Sequence, residues 1–121
     1  MKKQILIVDD EPGMRMTLAD IINITGFTAA TVENGSQALE KVKKQVFDVI
    51  LMDFKMPGLN GVETFMEIRK LLPDVKVIFI TAYYNEQSIK EAMDEGAIVI
   101  YQKPLNIPQL LDCIKRAIGN S

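Results

Sequence analysis

The chain has 121 residues, 48% apolar and 25% charged, with 14 basic against 16 acidic side chains and no histidine or tryptophan. That length fits one compact domain over residues 1–121, and a formal charge of -2 gives no basic footprint for a nucleic-acid backbone. The lack of histidine excludes Ser–His and Cys–His nucleophile pairs and histidine-ligated metals, and the lone Cys113 excludes an internal disulfide and suits a reducing compartment.

The first element is a strand, Gln4–Val8, wholly apolar from Ile5 onward. Pro12 to Thr25 reads as a helix, with proline in its first turn and Gly26 just past its end. Thr28–Val32 is a weaker strand, rich in Thr and Ala. Asn34-Gly35-Ser36 turns into a helix over Gln37–Gln45. Val49–Met52 is again wholly apolar, and a loop, Lys55–Gly61, leads to a third helix, Val62–Leu72, ended by Pro73. Val75–Ile80 is the fourth strand. Asn85 caps a helix closing at Gly96, Ile98–Gln102 is the fifth strand, and Asn106 caps a last helix running to Gly119. The apolar runs, Ile5–Val8, Val49–Met52 and Val77–Ile80 among them, are far too short to span a bilayer, and no signal-peptide segment is expected before the first. The sequence is therefore expected to act in the cytoplasm, without membrane or nucleic-acid contact.

Strict strand–helix alternation means parallel strands joined by right-handed crossovers. Strands covered on both faces read as continuous hydrophobic runs, as the first, third and fourth do, while the second carries threonines and the fifth ends Tyr-Gln-Lys. The expected fold is an α/β, doubly wound, five-stranded parallel sheet of order 2-1-3-4-5, flavodoxin-like, with helices on both faces. Ligands of such sheets bind outside the carboxyl ends of the strands, where the winding reverses. The reversal lies between strands one and three.

Strand one runs out into Asp9-Asp10-Glu11 and strand three into Asp53, so carboxylates converge on one edge. Successive strand residues point to opposite faces, so Asp9 and Asp10 share a site only where the strand opens into a loop. Each acid also has a local reading. Asp at a strand end forms turns or caps helices, and Glu11 supports the next helix as an acid in its first turn. Thr81 alone reads as a turn hydroxyl and Lys103 alone as a solvated charge. Together they resist that reading. Two like charges about 4 Å apart repel by about 4 kcal/mol near a surface, and Lys103 is the only well-placed cation. A divalent ion resolves the repulsion. All-oxygen ligation selects a hard cation, and a few carboxylates with no twelve-residue acidic loop favour Mg²⁺ over Ca²⁺. Mg²⁺, a lysine and a threonine around one spare carboxylate can stabilise a transferring phosphoryl group without acid–base chemistry. Asp53 is the expected nucleophile; Asp9 and Asp10 hold the metal.

Four segments, ILIVDDEPGMR, ILMDFKMPGLNGVE, VIFITAY and YQKPL, stand in this order over essentially the whole chain. Together they strongly resemble the receiver domain of two-component response regulators, both stand-alone phosphorelay receivers and the receivers of multidomain regulators. The resemblance implies that Asp53 takes a phosphoryl group from a histidine of a sensor kinase or phosphotransfer protein. It implies Mg²⁺ bound by Asp10, Asp53 and the main-chain carbonyl of Lys55, with Asp9 acting through water. Thr81 and Lys103 would contact the phosphoryl oxygens, Lys103–Pro104 would be cis, and Pro57, Gly58 and Gly61 would form the family's turn. Thr81 and Tyr101 match the family's switch pair, although Tyr101 reads equally as an edge-strand aromatic covering the last helix. The signal would emerge on the face built by the helix Asn85–Gly96, the strand Ile98–Gln102 and the last helix. An output domain or separate partner, and a monomer or phosphorylation-dependent dimer, are compatible with that face. Such a domain is no enzyme beyond its own phosphorylation and dephosphorylation.

Lys55, Tyr83 and Tyr84 put a second cation and bulky rings beside the phosphate, where they would restrict attacking water and lengthen the phosphoryl group's life. Lys41, Lys43 and Lys44 read as a solvated helix face, Cys113 as packing against the sheet, and Met14 and Met56 as adaptable contacts flanking the site. A flavin carrier of this fold would be repelled by Asp9-Asp10-Glu11. A haloacid-dehalogenase phosphatase would show D-x-D after strand one, and a nucleotide hydrolase would show G-x-x-x-x-G-K-[ST]. The remaining alternative is a receiver-like interaction module that is never phosphorylated.

Overall fold

In the computed structural model, which describes residues 3–53, 61–81, 87, 90, 94, 99–102 and 106–119, the apolar runs form the interior of one parallel sheet. The elements are β1 (Gln4–Val8), α1 (Pro12–Ile24), β2 (Thr28–Val32), α2 (Gly35–Lys44), β3 (Val49–Asp53), α3 (Gly61–Leu71), β4 (Val77–Thr81), β5 (Val99–Gln102) and a C-terminal helix (Ile107–Ala117). The strand order is β2-β1-β3-β4-β5, and every pairing is parallel. That is the order the apolar patterning implied. The expected fourth helix lies largely outside the described residues, although Gln87, Lys90 and Asp94 have helical backbone.

The three central strands feed two apolar layers because alternate residues face opposite sides of the sheet. Leu6, Val8, Ile50, Met52, Val77 and Phe79 pack on one side against Ala38 and Val42 of α2 and Val62, Phe65 and Ile68 of α3. Ile5, Ile7, Val49, Leu51, Ile78 and Ile80 pack on the other against Leu18 and Ile22 of α1 and Leu110, Cys113 and Ile114 of the C-terminal helix. Cys113 thus sits against the sheet as expected, and Met14 packs partly against the same layer. Within the α3 layer Phe65 and Phe79 meet edge to face, with ring centroids 5.6 Å apart, an arrangement that matches ring quadrupoles. The edge strand β2 is only half-buried. Side chains occupy donors along it: the Ala29 N–H donates to Asn23 Oδ1 at 3.1 Å, and just beyond the strand the Glu33 N–H donates to Gln37 Oε1 at 2.8 Å. Covered donors make a sheet edge less receptive to foreign strands.

Boundaries differ from expectation where side chains compete for backbone groups. Helix α2 starts at Gly35, two residues before Gln37, because extended Asn34 is its N-cap and accepts the Gln37 N–H at 2.9 Å. Strand β4 starts at Val77 rather than Val75, whose N–H closes a turn onto the Leu72 carbonyl. Helix α1 ends as read: Gly26 follows its C-cap at φ 106°, a conformation open to glycine at little steric cost.

Candidate functional site at the carboxyl ends of the strands

The last register pair of β1 and β3 is Val8 with Met52, so one residue further on Asp9 stands level with Asp53, the end of β3. Asp9 is 2% exposed and Asp53 8%, while Asp10 is exposed. One carboxylate oxygen from each of these three residues lies within 4.8 Å of the others. The structure therefore brings together the three aspartates that the sequence singled out. Unit charges that close repel by about 3–4 kcal/mol per pair at an effective dielectric near 20. The donor set is all oxygen, carries formal charge near −3 and is partly open to water through Asp10. It fits a small hard cation that keeps part of its hydration shell.

Local folding explains how adjacent aspartates share one site. The Asp9 N–H still extends the ladder, donating to the Val32 carbonyl at 3.2 Å. Beyond it the backbone turns, and Asp9 Oδ1 accepts the Glu11 N–H at 2.9 Å. This is the turn-forming role open to any strand-end aspartate, so the local and functional readings of Asp9 hold together. Glu11 itself corrects an expectation. It is the N-cap of α1, not a member of the first turn, and its side chain makes no capping hydrogen bond. Pro12 occupies the first helical position instead.

The structure adds a cation that the sequence analysis did not single out: Arg15 Nη1 donates to the Asp9 main-chain carbonyl at 2.8 Å. Its Nη2 lies 3.6 Å from Glu33 Oε1. The available signal was a basic residue one turn beyond the acids, in the first turns of α1.

The remaining site residues are placed by backbone alone or lie outside the described residues. Thr81 ends β4 and pairs in register with Gln102 of β5, while Tyr101 is level with Ile80. Gly61 opens α3 and is buried. Lys55, Met56, Pro57, Gly58, Tyr83, Tyr84, Lys103 and Pro104, with the expected cis bond, lie outside the described residues. Among the described residues no helix is long and apolar enough to cross a membrane.

A 2-1-3-4-5 sheet with an aspartate trio at its reversal point is a doubly wound α/β domain with a candidate cation site where such sheets bind their ligands, and comparison with known proteins narrows the class. The sequence matches the response regulator receiver domain over residues 5–115. It is 35% identical over 116 residues to sporulation initiation phosphotransferase F of Bacillus subtilis, covering 96% of this chain and 94% of that protein. It is 34% identical over 117 residues to the transcriptional regulatory protein ZraR of Escherichia coli, covering 97% of this chain but 26% of ZraR. A CheY-like receiver domain protein from Methanospirillum hungatei superposes with a TM-score of 0.95 at 28% identity, over 98% of this chain and 95% of that one. Response regulator TrrA of Thermotoga maritima, crystallised in complex with Mg²⁺-BeF, superposes with a TM-score of 0.86 at 36% identity, over 95% and 98%. The chain belongs to the response regulator receiver domain family. It is a phosphoacceptor domain of two-component signalling, a signalling module rather than a classical enzyme.

Proposed function

We propose that Asp53 is the phosphoacceptor, and that Asp9, Asp10 and Asp53, with the main-chain carbonyl of Lys55, hold the Mg²⁺ the reaction needs. The observation that carries this reading is the convergence of three carboxylate oxygens within 4.8 Å at the reversal point of the sheet. The Mg²⁺-BeF complex of TrrA supports it by family likeness. The donor is a phosphohistidine of a sensor kinase or phosphotransfer protein. An Asp53 carboxylate oxygen attacks phosphorus, the N–P bond breaks as the new O–P bond forms, and the imidazole keeps the electron pair and takes a proton. When bound, Mg²⁺ supplies charge neutralisation at the phosphoryl oxygens. Asp53 suits the nucleophile's role because the rigid, wholly buried strand β3 fixes it in position.

Thr81 and Lys103 complete the site by contacting the phosphoryl oxygens. Thr81 ends the strand beside β3, and Lys103 follows Gln102, its register partner on β5. Phosphorylation draws Thr81 inward and Tyr101 after it, shifting the population of the face built by the fourth helix, β5 and the C-terminal helix. That face passes the signal to an output domain or separate partner. Residues 1–121 are one receiver domain working in the cytoplasm, with Pro57, Gly58 and Gly61 forming the turn after Asp53 and a cis Lys103–Pro104 bond shaping the rim.

A small-molecule phosphodonor with Mg²⁺ tests the assignment. The wild-type chain should gain one alkali-labile phosphoryl group, lost in Asp53→Asn and on chelation of the metal. Labelling of Asp53→Asn at the wild-type level sinks the assignment, and no labelling of the wild type makes the chain a non-phosphorylated interaction module. In the same experiment Lys55→Ala and Tyr83→Ala should lose the phosphoryl group faster, since both residues limit the approach of water; unchanged lifetimes reject that role.

A further inference from the structure

We infer that Arg15 is a positioning residue for the acidic site: its guanidinium fixes the peptide joining Asp9 to Asp10, and so lets two adjacent aspartates converge on Asp53. The inference rests on the metal-binding reading above and adds to it a residue outside the ligand set.

In a parallel strand the N–H and C=O of one residue point to the same side. The Asp9 N–H points toward β2, where it meets the Val32 carbonyl at 3.2 Å. Continued through Asp9, the strand pattern would turn its carbonyl to β2 as well, where a longer β2 would offer the N–H of Asn34. No such donor arrives, because β2 stops at Val32 and Asn34 has turned to cap α2. Arg15 replaces it, with Nη1 2.8 Å from the Asp9 carbonyl oxygen. The peptide is planar, so fixing the Asp9 carbonyl also sets the direction of the Asp10 N–H and the placement of its Cα. A charged donor makes a stronger clamp than a neutral one.

The guanidinium is itself anchored. Its side chain is 16% exposed, and Nη2 lies 3.6 Å from Glu33 Oε1 in the connection leaving β2. Glu33 is 62% exposed, so this ion pair contributes little by itself. It does offset part of the Arg15 charge, which would otherwise oppose an arriving cation. For Arg15 to favour metal binding, its orienting effect must exceed its repulsion. Groups that orient metal ligands through hydrogen bonds typically change affinity by about 10–100-fold.

The test is the Mg²⁺ dissociation constant of the full chain and the rate of Asp53 phosphorylation from a small-molecule phosphodonor. Arg15→Met keeps the aliphatic stem and removes the donors. It should weaken Mg²⁺ binding by about tenfold, while at saturating Mg²⁺ the phosphorylation rate stays within about threefold of wild type. Arg15→Lys keeps one charged donor and should recover part of the affinity, and it serves in place of Arg15→Met should the latter fold poorly. A brace acting on stability alone would lower the melting temperature and leave the Mg²⁺ constant unchanged; that result, or tighter binding in Arg15→Met, overturns the inference. Failure of the wild-type chain to bind Mg²⁺ overturns the metal-site reading itself, whereas equal binding by wild type and variant overturns only the role of Arg15.

Discussion

Asp10 is the exposed member of a trio whose other two carboxylates are buried, and the difference separates charge from structure. Its own desolvation is small, so its cost to the metal-free fold comes mainly through repulsion. About 3–4 kcal/mol per pair is the bound set by distance at a dielectric near 20, and water and salt reduce it. We expect Asp10→Asn to raise metal-free stability by about 1 kcal/mol, read by urea unfolding. Wild type with Mg²⁺ at a hundred times its dissociation constant should gain about 2.7 kcal/mol, and the variant should lose most of that increment. A variant less stable than wild type without metal would remove repulsion from the account. Full retention of the Mg²⁺ increment would remove Asp10 from the ligands. At this scale the aspartates were legible because strand-end acids stand out in sequence. Arg15 offered only its place one turn beyond the acids, since its partner is a main-chain carbonyl, which the charges alone do not name. Glu11 was misplaced by one position for a related reason: Pro12 takes the first helical place and leaves the acid outside the turn.

Among the elements, the helices differ in how their first N–H groups are satisfied. Asn34 accepts the Gln37 N–H and Asn106 the Gln109 N–H, at 2.9 and 3.0 Å, whereas Glu11 caps α1 through its backbone alone. Asn34→Ala and Asn106→Ala should therefore each cost about 1 kcal/mol, a fall of about 4 °C in Tm for a domain of this size. Glu11→Ala should change stability by less than about 0.5 kcal/mol. Thermal melts of the three variants check the ranking, and an equal loss in Glu11→Ala would mean that the caps do not set it. Asn106 was readable as a cap and Gly26 as a stop, since both act through their own local geometry. The start of α2 carried the same local cap signal at Asn34, within a stretch that reads equally as a turn. The start of β4 was not readable, because it depends on the Val75 N–H turning back to Leu72.

For the whole molecule, the site's geometry follows from a sheet that cannot be divided. β1, β3 and β4 each send alternate residues into both apolar layers, so neither layer can melt while the other keeps its strands. The strand order was legible in part for the same reason: each strand covered twice carries an unbroken run of four apolar residues, whereas β2, at one edge, carries threonines. Ile22 of α1 and Ile68 of α3 lie in opposite layers, and both are fully buried. Replacing either by valine removes one methylene group and should cost about 0.5–1.5 kcal/mol. The two losses should add within about 0.5 kcal/mol, since the side chains share no partner across the sheet. Each variant, and the double variant, should unfold in one transition by both far-UV and near-UV circular dichroism. Because Asp9 and Asp53 extend from strands shared by the two layers, all three variants should keep the wild-type increment of stability from Mg²⁺. Separate transitions in the two signals, or a Mg²⁺ increment reduced by one substitution only, would show that one layer alone holds the carboxylates in place.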